Sequence, residues 1–241
     1  MPIPEGKSGG SSRATDVAAF LAFAVIVAVS LPPVPTAAVQ AGMTGAVTGV
    51  VRLTAPARRL NTTGAYPSRR VALAPQRAAS ELANVVVFVR RSRPEPPAPT
   101  RMEIRQLEEE FVPHLVAVTT GSTVDFPNDD LVFHNVFSLS SAATFDLGRY
   151  PQRRSRSRTF AKPGIVKVFC HLHSHMSAIV RVFDHPYFAL LGPDGQFKID
   201  GLEPGRHEVV AWHERVGEAK ASLVVAAGET TEAAFSLPLA D

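Results

Sequence analysis

A group of side chains able to bind a metal lies in residues 169–176, which read FCHLHSHM. Cys170, His173 and Met176 offer a thiolate, an imidazole and a thioether, and His134 offers a second imidazole from an earlier segment. Two histidines and one cysteine in a plane with a weak axial methionine form a blue-copper site, and soft sulfur ligands select copper. The pattern therefore indicates one copper ion held by these four side chains.

Two other interpretations of the same segment stay open. His171, His173 and His175 alternate, and alternate side chains of an extended segment share a face, so they could chelate zinc or copper without Cys170. Cys170 could also be a buried, inert thiol beside surface histidines. The remaining histidines are expected at the surface or in structural roles: His114, His185, His207 and His213.

The segment before the cysteine must place its sulfur. Residues 165–170, IVKVFC, predict a strand in which Val166, Val168 and Cys170 share one face, because strand side chains alternate. The valines should turn that face inward. We therefore expect the Cys170 sulfur at the core end of a strand, followed by a tight loop.

The rest of the chain also predicts strands, separated by the turn sequences PND, KPG, GPDG and EPG. With 20 Pro and 16 Gly among 241 residues, a helical bundle is disfavoured and an all-β fold of sandwiches is expected. The acidic stretch 102–110 predicts one short helix. The expected strands are 45–53, 84–90, 114–118, 123–126, 131–139, 165–170, 178–183, 196–200, 207–212 and 219–226.

The motifs FPNDDLVFHNVF (126–137) and KPGIVKVFCHLHSHM (162–176) resemble those of the cupredoxins, with the short Cys-x-x-His-x-x-Met spacing of amicyanin. The resemblance implies a Greek-key β-sandwich with His134, Cys170, His173 and axial Met176 on copper. It also implies that Asn135 holds the ligand loops together by hydrogen bonds. A wider stretch, roughly residues 102–215, is similar to the cupredoxin-containing proteins called methylamine utilization proteins.

A second sandwich is expected from the sequence after the copper motif. PYFALLGPDGQFKIDGLEPGRHEVVAWHE resembles the second half of the carboxypeptidase regulatory-like, or transthyretin-like, sandwich, and TGVVRL with NVVVFV fits its first half. This implies a first half at 42–95, an inserted cupredoxin domain at 96–185 and a second half at 186–241. Alternatively, residues 45–90 belong to the cupredoxin sheet and the C-terminal part stands alone.

The N-terminus carries an export signal by its composition. Residues 17–31 are uncharged and apolar, short for a membrane span of about 20 residues and right for a signal-peptide core. We expect a signal peptide over 1–41, with an uncleaved anchor helix as the alternative. A lone thiol in an exported, periplasmic protein should be buried or metal-bound. One cysteine also excludes a disulfide framework.

The charge of the chain gives little information about its binding partners. The net charge of +3 is mild, and a nucleic-acid partner is not expected. Membrane contact is expected only through an uncleaved N-terminal segment. The stretch 149–158 is either a docking patch for an acidic redox protein or anionic surface, or a solvated loop. Its arginines are Arg149, Arg153, Arg154, Arg156 and Arg158.

Together these features predict an exported type 1 copper protein that carries single electrons between redox proteins the sequence does not identify. One copper per chain would alternate between Cu(II) and Cu(I). A copper-delivery protein using the His/Met loop is the alternative. An enzyme is not expected, because a type 1 site leaves no open position for a substrate and no Gly-x-Ser-x-Gly motif is present.

Overall fold

The named elements of the computed structural model are all β-strands within the residues it describes. The expected all-β class is therefore confirmed. In that part of the chain no helix is long and apolar enough to cross a membrane. The expected signal segment 1–41 lies outside the described residues. Those residues are 43–54, 81–91, 93–95 and 98–239.

Seventeen strands follow one another in the described part of the chain. They are β1 (Gly45–Thr54), β2 (Val85–Arg90), β3 (Arg101–Glu103), β4 (Arg105–Leu107), β5 (Glu110–Val112), β6 (Leu115–Thr119), β7 (Thr123–Pro127), β8 (His134–Ser140), β9 (Ala143–Tyr150), β10 (Ser155–Thr159), β11 (Gly164–Phe169), β12 (Ser177–Phe183), β13 (Phe188–Leu190), β14 (Gln196–Leu202), β15 (Gly205–His213), β16 (Gly217–Val225) and β17 (Thr230–Pro238).

The strands form two sandwiches. In the first, the sheet β6-β12-β11-β8-β9 packs against β10-β7-β3, and the hairpin β4–β5 adds to it. In the second, β14-β1-β17 packs against β13-β2-β15-β16. β1 lies between β14 and β17, and β2 lies between β13 and β15. The strands before the first sandwich therefore share a core with the strands after it.

Strands β2 and β6 are apolar along nearly their whole length because both of their faces are covered. Along β2, Val85, Val87 and Val89 enter the core of the second sandwich, while Val86 and Phe88 enter a third apolar cluster. β6 is buried throughout in the same way. Continuous apolar runs are typical of such doubly covered strands. The third cluster joins the two sandwiches and consists of Val86, Phe88, Leu115, Ala117, Ile179, Phe183, Val210 and Trp212.

The short helix expected at 102–110 is wrong. This stretch forms β3, β4 and a two-residue hairpin turn, in which Glu108 and Glu109 both have φ of 56°. Ile104 and Gln106 are fully buried, so the segment follows the period of two that a strand requires. Tertiary contacts outweigh the helix propensity of its glutamates.

The strand ends bring the chemically interesting residues together. β8 begins at His134, and its antiparallel neighbour β11 ends at Phe169, one residue before Cys170. The start of β8 and the end of β11 therefore lie at the same end of the sheet. Residues 170–176 form the loop from β11 to β12 at that end.

Candidate metal centre

Three donor atoms converge at this end of the first sandwich. The Cys170 Sγ lies 3.9 Å from the His134 Nδ1 and 3.9 Å from the His173 Nδ1, and the two nitrogens are 3.0 Å apart. These three residues form the group of His, Cys, Asp or Glu donors that the described residues bring within 4.8 Å of one another. Cys170 and His134 are buried, whereas His173 is partly exposed.

The spacing of the three atoms fits a metal ion in their plane. A point equidistant from all three lies about 2.1 Å from each, by the geometry of that triangle. Metal–imidazole bonds are about 2.0–2.1 Å long and metal–thiolate bonds about 2.3 Å. A trigonal set of two imidazoles and one thiolate is the donor set of blue-copper sites. The residues present therefore fit copper.

Asp130 fixes the tautomer of His134. The His134 Nε2 lies 2.7 Å from the Asp130 carboxylate, which only accepts hydrogen bonds when ionised. The proton of a neutral His134 imidazole therefore sits on Nε2, and the Nδ1 lone pair points toward Cys170 and His173. Such a carboxylate behind a histidine orients the ring and raises its basicity as a ligand.

The Asp130 carboxylate also holds the β4–β5 turn. It accepts hydrogen bonds from the backbone N–H groups of Glu108 and Glu109, at 2.7 and 2.9 Å. Burial acts to raise the pKa of Asp130, but these amides and His134 outweigh it and keep the pKa below its ordinary value. Sequence reasoning missed Asp130, although its position four residues before His134 in an Asn-Asp-Asp turn was a usable signal.

Asn135 connects the two strands that carry the donors. Its Oδ1 accepts a hydrogen bond from the backbone N–H of His171 at 2.9 Å, and its Nδ2 donates to Asp146 at 2.7 Å. The side chain belongs to a buried residue. It therefore ties β8 to the first peptide after Cys170, which limits how far the thiolate and the His134 imidazole can separate.

Met176 lies in the core of the first sandwich, together with Cys170. Only 1% of it is exposed, and its backbone N–H donates to the carbonyl of His173 at 3.0 Å. This bond closes the loop between the two residues. A thioether at this position is available from the apolar side of the donor group.

His171 and His175 lie outside the group of three donors, and the His175 ring is 6.1 Å from that of His173. The His171 ring stacks on Phe137, with 3.7 Å between centroids. The His175 Nε2 lies 3.8 Å from the Glu109 carboxylate at the surface. The structure thus does not gather His171, His173 and His175 into the chelating face that their alternation made possible.

The other histidines are structural or surface residues, as expected. His213 and His185 are buried, His213 beside Glu81 and His185 as an acceptor from the Tyr187 amide. His114 lies between the Ser177 carbonyl and the Glu214 carboxylate. The exposed His207 contacts the carbonyl of Glu203.

Apolar side chains are exposed around the donor group. Leu131 and Phe133, which precede His134, are 88% and 55% exposed, and Leu172, inside the 170–176 loop, is 39% exposed. The expected strand 131–139 therefore begins only at His134, and residues 131–133 form a loop.

The five arginines of 149–158 do not form one cluster. Arg149 pairs with Asn135 across β9 and β8, and the backbones of Arg153 and Arg154 are hydrogen-bonded to Asn128. These three lie at the end that holds the donors. Arg156 and Arg158 run down β10, above the rings of Tyr150 and Phe145. The solvated loop considered for this stretch is partly a strand.

No protein-family model matches the chain, and no curated protein matches it. Solved structures match part of it. A Cu-containing nitrite reductase from Thermus scotoductus SA-01 is 22% identical, and the match covers 39% of this chain and 26% of that one, with a TM-score of 0.33. The likeness therefore spans about a quarter of the reductase.

Two smaller copper proteins match over nearly their whole length. A purple cupredoxin from Nitrosopumilus maritimus is 22% identical over 34% of this chain and 98% of its own, with a TM-score of 0.31. Amicyanin from Paracoccus versutus is 21% identical over 40% and 97%, with a TM-score of 0.32. Because likeness at this level transfers no activity, the function of this chain rests on its own donor geometry.

Proposed function

We propose that this protein is an exported type 1 copper protein that carries single electrons. The observation that carries the proposal is the triangle of His134 Nδ1, His173 Nδ1 and Cys170 Sγ, whose size and chemistry fit copper. His134, Cys170 and His173 would be the strong ligands, and the buried Met176 would supply a weaker fourth donor. Copper bound there would supply a one-electron couple between Cu(II) and Cu(I).

The protein would contribute a rigid group of donors and a route by which the electron reaches the surface. Asp130 orients His134, Asn135 holds the two strands in register, and Met176 closes the loop, so the donor atoms have little freedom to rearrange. A site that does not rearrange between oxidation states transfers electrons with little reorganisation. Of the three donors, His173 is the one that is partly exposed, so electrons would leave through its ring.

Catalysis and copper delivery are less well supported. The described part of the chain brings together one such group of donors, and Met176 is buried in the same core as Cys170, so a substrate would have little access to the metal from that side. Delivery through the histidine-rich loop would use His171, His173 and His175 together, but the His171 ring stacks on Phe137 and the His175 ring lies 6.1 Å from that of His173, outside the group of three donors. Export is proposed on the apolar segment 17–31 alone.

The test is a visible and EPR spectrum of the purified protein after adding one equivalent of Cu(II). We expect an intense thiolate-to-copper band and a narrow copper hyperfine splitting, both absent in Cys170→Ser. His171→Ala and His175→Ala are the matched controls, since these side chains lie outside the donor triangle, and they should keep both features.

A pale spectrum that ignores Cys170→Ser would overturn the proposal. If that pale copper were lost in His175→Ala, the loop would bind metal by itself and the delivery function would replace electron transfer. Reversible voltammetry with one electron per copper is the second requirement.

A further inference from the structure

The loop 170–176 is fixed at its two ends by different parts of the chain. At the Cys170 end, the Asn135 side chain accepts the N–H of His171, and this bond lies within the first sandwich. At the other end, Met176 is followed directly by β12, which begins at Ser177. This second end is bonded to His114, in the connection between β5 and β6.

His114 binds the start of β12 with both its side chain and its backbone. Its Nδ1 donates to the Ser177 carbonyl at 2.9 Å, and its own carbonyl accepts the N–H of Ile179 at 2.7 Å. The Met176 N–H in turn donates to the His173 carbonyl at 3.0 Å. The orientation of the His114 ring therefore acts on the peptide next to Met176 and, through it, on the loop as far as His173.

The second sandwich supplies the partner that orients this ring. Glu214 follows the last residue of β15, and its carboxylate accepts a hydrogen bond from the Nε2 of His114. This bond is the main influence that lowers the pKa of Glu214 below its ordinary value, so the side chain is a carboxylate at neutral pH. An imidazole held at Nε2 cannot turn over, and its Nδ1 stays aimed at the Ser177 carbonyl.

The turn that carries Glu214 is itself held in place. On one side of it, the buried His213 accepts the N–H of Arg215 at 3.3 Å and lies 3.3 Å from the Glu81 carboxylate. The same carboxylate pairs with the Arg215 side chain at 3.1 Å. Both neighbours of Glu214 in the chain are thus bonded to the segment before β2, which limits the movement of the turn.

Apolar packing between the sandwiches keeps Glu214 within reach of His114. Leu115, the residue after His114, belongs to the third apolar cluster together with Ile179 and Trp212. Trp212 lies two residues before Glu214. The contact between Glu214 and His114 therefore lies next to the apolar interface of the two sandwiches.

We propose that Glu214 is a positioning residue of the metal site, which holds the Met176 end of the loop 170–176 through the ring of His114. The inference rests on the proposed function and gives the second sandwich a part in that site. Glu214 does not contact the donor atoms. Residues behind the ligands of a metal commonly set its affinity and the geometry of its site.

The test is Glu214→Gln in the full chain, since glutamine keeps the size of the side chain and removes the charge that holds the ring. In the metal-free protein, the Met176 amide should exchange its hydrogen about fivefold faster, while the Val180 amide inside β12 stays unchanged. In the copper-loaded protein, the thiolate-to-copper band should shift in wavelength, and copper should be lost to a Cu(I) chelator about threefold to tenfold faster.

The matched control is Glu208→Gln, which removes the same charge from β15 but breaks a contact with Arg90 inside the second sandwich. It should leave the amide exchange, the band and the copper loss unchanged. The double variant Glu214→Gln, His114→Ala should do no more than His114→Ala alone, because Glu214 acts through that ring. Thermal unfolding verifies that every variant is folded.

Three results would overturn the inference: readouts indifferent to Glu214→Gln, equal changes in Glu208→Gln, or additive effects in the double variant. A protein without the intense band, whose Met176 amide and copper loss still respond to Glu214→Gln, would contradict only the proposed function. A blue protein indifferent to Glu214→Gln would contradict only the positioning role.

Discussion

The Asp130 carboxylate accepts a hydrogen bond from the His134 Nε2–H at 2.7 Å, while the Nδ1 of the same ring lies 3.0 Å from the His173 Nδ1. One side chain thereby sets the tautomer, the ring orientation and the local charge of a proposed ligand. Because Asp130 also accepts the Glu108 and Glu109 amides, the β4–β5 turn and the metal site depend on the same carboxylate.

Asp130→Asn should raise the reduction potential of the copper-loaded protein. The asparagine carbonyl oxygen can still accept a hydrogen bond from the Nε2–H of His134. The substitution, however, removes a negative charge that stabilises Cu(II) more than Cu(I). Coulomb interaction over several ångströms at an effective dielectric of about 20 corresponds to on the order of 50–100 mV. Voltammetry measures the shift.

Comparing Asp130→Ala with Asp130→Asn separates two effects of the carboxylate, the orientation of the His134 ring and the negative charge near the copper. Asp130→Ala should shift the potential in the same direction and also lower copper affinity about 10–100-fold, because the ring loses its support. Equal potentials in wild type and Asp130→Asn would show that the carboxylate charge does not act on the site.

Asn135→Ala should destabilise the fold and loosen the metal site together. The change leaves the His171 N–H and the Asp146 carboxylate without their present partner. Losing such buried hydrogen bonds costs about 1–3 kcal/mol in free energy of unfolding. Thermal unfolding and copper titration measure the two effects, with Ser138→Ala in the same strand as the control. Lower stability with unchanged copper affinity would contradict a role for Asn135 in holding the loops.

The sequence predicted the strands best where apolar residues are continuous or alternate strictly. The runs around Val85–Arg90 and Ser177–Phe183 are strands within one residue of the expected bounds. β10, with sequence SRSRT, was missed because its side chains are mostly exposed and its arginines suggested a loop. Its backbone pairing with β7 forms the strand, and that pairing carries no local apolar signal.

The donor group was predictable from residue types and the role of Asn135 from the resemblance, but the role of Asp130 was missed. His134, Cys170 and His173 stand out by their side-chain chemistry alone. Asp130 contributes through a contact with His134, and its carboxylate also accepts the backbone amides of Glu108 and Glu109, which lie more than 20 residues earlier in the chain. The contact between Asp130 and the β4–β5 turn also stabilises the hairpin that replaces the expected helix at 102–110. The wrong helix prediction and the missed role of Asp130 therefore concern the same long-range contact.

The contact between His114 and Glu214 should make stability depend on pH. The His114 Nδ1 lies 2.9 Å from the Ser177 carbonyl and its Nε2 lies 2.5 Å from the Glu214 carboxylate. Both partners are acceptors, so a protonated ring satisfies both. The hydrogen bond to Glu214 raises the pKa of His114, against the effect of burial, and the bond to His114 lowers the pKa of Glu214.

The pH dependence of stability follows from the directions of these two pKa shifts. The His114 contribution is complete below its ordinary pKa of 6.5 and is lost as pH rises through the raised value. The Glu214 contribution is complete above 4.5 and is lost as pH falls through the lowered value. The pair should therefore stabilise the folded state most between pH 4.5 and 6.5, by about 1 kcal/mol.

Thermal unfolding of His114→Gln against wild type measures this contribution. The difference in stability should be largest near pH 5.5 and shrink at pH 9, whereas the control His207→Gln should show no such trend. A difference that stays constant across this range would mean that the pair acts without changing protonation.

His173→Gly should accept external imidazole more readily than His134→Gly. His173 is partly exposed at the end of the sandwich, whereas His134 is fully buried beneath the loop 131–133 and is bonded to Asp130. Glycine at either position removes one strong ligand and should abolish the intense band of the copper-loaded protein. Added imidazole should restore the band of His173→Gly quickly, because the vacated space opens to solvent.

For His134→Gly the same imidazole must pass the loop and then meet the Asp130 carboxylate, so the band should return at least about tenfold more slowly or require more imidazole. Visible spectra recorded over time measure both rates. The opposite order would place the solvent-facing ligand at His134, and the electron route would then run through His134 instead of His173.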